Sequence, residues 1–137
     1  MNVKSILNLL VVSLLIQLVF SSCKLKNETS QSFLIAVDSI KVPDTVTARM
    51  QFEVRLYGTI GPNNCYSFEK FYNYPSFENE ITIEVWGRYY YDGTSCTGST
   101  VYLNNDMEMT ITVPGVYNLM TLRPDGRYLE KKLTVIQ

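Results

Sequence analysis

Histidine is absent from all 137 positions of the chain. That absence removes Ser-His-Asp and Cys-His catalysis, and with them the commonest zinc ligand. Neither sign of charge is in excess: 12 Lys and Arg face 13 Asp and Glu, a net −1. Such a near-neutral balance argues against a nucleic-acid partner, which calls for a basic stripe. No Asp-rich loop of EF-hand type occurs, which leaves calcium without support, and no cofactor is expected. Nowhere is there the run of about 20 apolar residues that a helix needs to cross a bilayer. Cysteine occurs three times and tryptophan once.

What is present begins with a leader, MNVKSILNLLVVSLLIQLVFSSC. Lys4 supplies a positive start, and Ile6 to Phe20 supply a short apolar core interrupted by Asn8, Ser13 and Gln17. Two small residues then end it, which completes the three parts of a cleaved secretory signal. Phe20-Ser21-Ser22-Cys23 resembles the lipobox of bacterial lipoproteins, with Phe20 in place of the usual Leu. The resemblance implies that residues 1–22 are removed and that Cys23 is acylated, on a polar tether over 23–32. More than one acyl chain would make that membrane anchorage stable. Lys24 rather than Asp after the cysteine implies, by analogy with lipoprotein sorting, the outer membrane of the cell envelope. Ordinary signal cleavage is the alternative.

Loss of the leader removes Lys4 and no acid, leaving 115 residues with 11 basic and 13 acidic side chains, a net −2. That length builds one domain with a single core. In an oxidising envelope the remaining Cys65 and Cys96 are most simply a disulfide, the rival being two unpaired thiols. Such a bond closes a loop of roughly 30 residues and contributes about 3–4 kcal/mol in the loop-entropy account.

From Phe33 onward apolar and polar residues alternate at period two, with no sustained helical period. Strands are expected over Phe33–Val42, Ala48–Tyr57, Cys65–Tyr74 and Glu80–Tyr91, then over Asp106–Val113, Val116–Leu122 and Leu129–Ile136. Tyr102 begins a further short strand that Asn104-Asn105 would turn. Met50, Phe52, Val54 and Leu56 share one face of the second stretch. In the third, Tyr66, Phe68, Tyr72 and Tyr74 share a face with Lys70, and the charge among the rings suggests a bulge or an edge. Arg123-Pro124-Asp125-Gly126 suits a tight hairpin with glycine at the positive-φ position. About seven short strands with frequent turns point to an all-β fold, a single antiparallel β-sandwich over residues 33–137.

Val42-Pro43-Asp44-Thr45-Val46 and Val113-Pro114-Gly115-Val116-Tyr117-Asn118-Leu119 are similar to phrases that open strands in bacterial immunoglobulin-like and fibronectin-like domains. The second resembles a tyrosine corner, which implies a bond from the Tyr117 hydroxyl back to the backbone near the start of the penultimate strand. The spacing of Cys65 and Cys96 about an aromatic strand resembles small lipoproteins of the Bacteroidota. Asp38-Ser39-Ile40 and Asp44-Thr45-Val46 resemble the triplet at which Bacteroidota attach O-glycans, which implies Ser39 and Thr45 as acceptors. Asn27-Glu28-Thr29 matches the N-glycosylation acceptor but carries little weight in a bacterial lipoprotein.

One strand face is unusual. With Ile81, Ile83 and Val85 inward, period two sends Glu80, Thr82, Glu84, Trp86, Arg88 and Tyr90 outward. Flat rings among carboxylates and a guanidinium suit sugar rings and their hydroxyls, so Trp86, Arg88 and Tyr90 form a candidate glycan-binding face. A bulge at Gly87 would instead reverse the alternation and bury Trp86, in these sandwiches commonly against a disulfide. Glu80 and Glu84 also admit a glycosidase reading, opposed by the roughly 13 Å that four residues of strand put between them. The leading expectation is a non-enzymatic, lipid-anchored envelope module with a structural or protein-interaction role. A carbohydrate-binding module is the alternative, so the expected partners are the membrane and an envelope protein or polysaccharide.

Overall fold

The computed structural model describes residues 28–137 as nine strands in two packed sheets. In chain order they are β1 (Thr29–Leu34), β2 (Ala36–Lys41), β3 (Thr45–Thr47), β4 (Gln51–Gly61) and β5 (Tyr66–Phe77). β6 (Glu80–Tyr91), β7 (Val101–Thr110), β8 (Gly115–Leu122) and β9 (Tyr128–Ile136) follow. Six of them form the larger sheet, built around β6. β5 pairs with β6 along its length on one side. The other side is shared: β8 runs parallel to Glu80–Ile83, and β1 antiparallel to Trp86–Tyr91. β9 and then β3 complete that sheet, while β2, β4 and β7 form the smaller one.

Period two places the core between the sheets. Val54 and Leu56 of β4 face Ile83 and Val85 of β6, all fully buried, and Leu103, Leu119 and Leu133 join them. The chain changes sheets at Ile35, which is fully buried and donates its N–H to the Val85 carbonyl at 2.8 Å. Where β2 then meets β4, Val37 pairs with Gly58, and a Cβ on Gly58 would collide with the Ala36 carbonyl oxygen. Glycine is required there by the closeness of two backbones.

Several expectations are corrected. The sandwich has nine strands rather than about seven, and its larger sheet is mixed, with parallel pairs β6/β8 and β3/β9. The stretch 33–42 reads as one strand because alternation is blind to the crossing at Ile35, and the three residues of β3 are too few to show a period. Strand direction is equally invisible to alternation. Asn104-Asn105 does not turn the chain, because both residues lie within β7, paired with Tyr57 and Leu56. Continuous cross-strand pairing outweighs their local turn preference. The ladder begins at Thr29, inside the stretch expected as tether. Met50 is 62% exposed because the turn at Arg49 (φ 66°) precedes β4. Val113 lies beyond β7 and is also exposed.

Other expectations hold. The β8–β9 hairpin turns as its Pro-Asp-Gly sequence requires, with the Gly126 N–H donating to the Arg123 carbonyl at 2.9 Å and Gly126 at φ 79°. The Tyr117 hydroxyl donates to the Val113 carbonyl at 3.0 Å. β5 is an edge strand with a bulge at Glu69, and its edge position tolerates Pro75.

Candidate functional site

The orientation of Trp86 turns on Gly87. β6 pairs with β1 without a register break, Leu34 against Trp86 and Phe33 against Gly87. Alternation therefore continues through the glycine: Val85 and Gly87 point into the core, Trp86 and Arg88 away from it. A Cβ on Gly87 would lie 2.7 Å from the Phe33 ring, so the space beneath the glycine is filled by that ring. The bulge sits across the ladder, at Glu69 of β5. Trp86 is thus half-buried on the outer face of the larger sheet.

Its surroundings come largely from β5. The extra residue at Glu69 flips the aromatic strand, so Tyr66 and Phe68 pack on the core while Tyr72 and Tyr74 are 48% and 42% exposed. Tyr72 stands directly opposite Glu84. The Glu84 carboxylate accepts from the Tyr74 hydroxyl at 2.8 Å on one oxygen and from the Trp86 indole N–H at 2.9 Å on the other. Lys70, opposite Trp86, holds its ammonium 4.8 Å from the Tyr72 ring centroid. Arg88 donates to Glu69 at 2.5 Å, and Ser32 of β1 donates to the other Glu69 oxygen at 2.7 Å. Tyr90 ends the row, 45% exposed.

The structure brings Trp86, Arg88 and Tyr90 onto one face and adds Glu69, Lys70, Tyr72 and Tyr74, which the sequence reading did not assign to it. Lys70 among the rings was the available signal: a bulge beside it separates the inward rings from the outward ones.

Hydrogen bonds set the protonation of this face. The Ser32 hydroxyl and the Arg88 guanidinium hold the Glu69 carboxyl below its usual range. The neighbouring Glu84 carboxylate raises the Tyr74 phenol, which stays protonated and donating. Glu69 therefore contributes stability that is present above its ordinary pKa of 4.5 and lost as pH falls through its lower folded value. Asp106, paired with Arg55, behaves likewise from 3.8 downward. With no histidine to titrate near neutrality, thermal melts are expected to be flat from about pH 5.5 to 8 and to decline below about pH 4.5. In Glu69→Gln the acid decline is expected to be shallower.

Cys65 and Cys96 are bonded, with Cα atoms 5.4 Å apart. The ring beside them is Tyr89, whose hydroxyl lies 4.0 Å from the Cys96 sulfur, so Trp86 does not occupy the place against the disulfide. Ser39 is exposed on β2 next to a bulge, and Thr45 is exposed at the start of β3, where Lys131 pairs with Asp44 at 3.1 Å. Cys23 and Asn27 lie outside the described residues. Among the described residues no three Cys, Asp or Glu side chains converge as metal ligands.

Fold and site together define an all-β two-sheet sandwich carrying an aromatic, hydrogen-bonded outer face. No family model, curated protein or solved structure matches the chain.

Proposed function

We propose that this protein is a lipid-anchored, non-enzymatic module of the bacterial cell envelope, an immunoglobulin-like sandwich that binds its partner through the outer face of the larger sheet. The observation that carries the binding face is the outward Trp86, set among Tyr72, Tyr74, Glu84 and Arg88. Rings of this size left partly in water on a sheet face are the usual anchors of an interface. The Tyr117 bond to Val113 and the crossing of the first strand between sheets support the immunoglobulin-like reading. The leader and Cys23 support lipid anchorage, and Lys24 after the cysteine supports the outer membrane. β1 starts at Thr29, opposite Tyr91, so a tether would leave beside the Tyr90 end of the face.

Carbohydrate recognition is the second reading, favoured by the fixed carboxylate between rings on that face. Collisional quenching of the single tryptophan in the full-length protein tests the face. Iodide is expected to quench Trp86 partially, and envelope material carrying the partner to protect it. Quenching unchanged by every envelope fraction, protein or polysaccharide, contradicts the binding face.

A further inference from the structure

Glu84 is the centre of the outer face. Tyr72 lies across from it on β5, and Tyr74 and Trp86 each donate one hydrogen bond to it. A carboxylate offers about four acceptor sites, so two donors leave it with acceptor capacity on both oxygens. Those oxygens are held in place by two rings with few rotatable bonds, which lowers the ordering cost of binding. A pair of neighbouring hydroxyls is an uncharged ligand group that can donate to both oxygens of one carboxylate, as a guanidinium does with charge. Flat rings beside it offer surface to the C–H face of a pyranose, and that combination of apolar walls with a few fixed polar groups is the usual form of a small-ligand site.

Charge narrows the class. Lys70 and Arg88 are balanced on this face by Glu69 and Glu84, and Arg88 is already paired with Glu69. A polyanion would meet no net positive field and would bring its carboxylates beside Glu84, a like-charge contact. A cationic ligand among the rings would meet Lys70, which already lies over Tyr72, and Arg88. An uncharged hydroxyl-rich chain meets neither penalty. Arg88, with its side chain 49% exposed, keeps donors free for hydroxyl or ring oxygens.

We propose that this face binds a neutral polysaccharide, with Glu84 accepting from a pair of sugar hydroxyls and the rings of Trp86 and Tyr74 forming the surface on which the pyranose lies. The proposal rests on the binding face assigned above. Full-length protein in detergent micelles is titrated with neutral polymers (dextran, mannan, a linear β-glucan, xylan) and acidic ones (alginate, polygalacturonate), reading Trp86 emission at low and high salt. The expected result is saturable change with a neutral polymer, unaffected by salt and reversed by its free sugars. Glu84→Gln is expected to weaken that binding about tenfold or more with an unchanged melting temperature, while Thr59→Ala on the opposite sheet leaves it intact. Response to acidic polymers alone, abolished by salt, overturns the neutral class and leaves the face standing. Silence toward every polymer overturns this inference, and the face then survives only if an envelope protein protects Trp86 from quenching.

Discussion

Replacement of Cys65 and Cys96 together by serine is expected to cost about 3–4 kcal/mol, which in a domain of this size lowers the melting temperature by roughly 10–20 °C. The bond joins residues 31 apart and restricts the unfolded chain by closing that loop. Its effect in the folded protein is local. It ties the start of β5 to the loop between β6 and β7, where the Asn64 and Thr97 backbones are also joined at 3.0 Å and the Asn64 side chain accepts from the Thr97 N–H at 2.9 Å. Those bonds and the ladders remain in the double variant, so it is expected to fold to the same sandwich. Melting of the oxidised wild type, the wild type under reductant and the variant checks this. Reductant and mutation should give the same loss, and a variant as stable as the oxidised protein would refute the assignment.

Gly58→Val is the second large loss, expected to reach about 3 kcal/mol, the upper end of overpacking. The obstacle is backbone: an added Cβ meets the Ala36 carbonyl oxygen, with the Val37 Cα at 3.3 Å. No rotamer relieves that contact, so β2 must move away from β4. Ile35 and Val37, both fully buried, would move with it and open the core at the crossing between sheets. Urea titration of the variant measures the loss, and Gly98→Ala is the control. Gly98 has open space around it and a positive φ of 96°, so alanine there is expected to cost only about 1 kcal/mol of backbone strain.

Much of this fold was legible because half-buried strands carry their own signature. The alternation of β4 and β6, the turn at Arg123–Gly126 and the Tyr117 corner each follow from chemistry confined to a few neighbouring residues, and the cysteine pair from there being only two cysteines after the leader. What was hidden depends on residues far apart. The crossing at Ile35 looks like uninterrupted strand, and β3 finds its parallel partner in β9, some 90 positions later. On the candidate face the β6 half was legible and the β5 half was not. A one-residue bulge reverses every side chain beyond it, and its position at Glu69 is fixed by pairing with β6. Gly87 resembles a bulge in sequence for a related reason: the ring of Phe33 that occupies the space beneath it comes from more than 50 residues earlier.

Amide spectroscopy of the full-length protein with a neutral polysaccharide tests the central claim most directly, because the single indole N–H reports Trp86 alone. The account predicts that this resonance shifts on binding together with the amides of Tyr72, Tyr74, Glu84 and Arg88, while those of Thr97 and Thr59 stay in place. Shifts confined to the loop around Cys96 or to the smaller sheet, with the indole resonance unmoved, would contradict it.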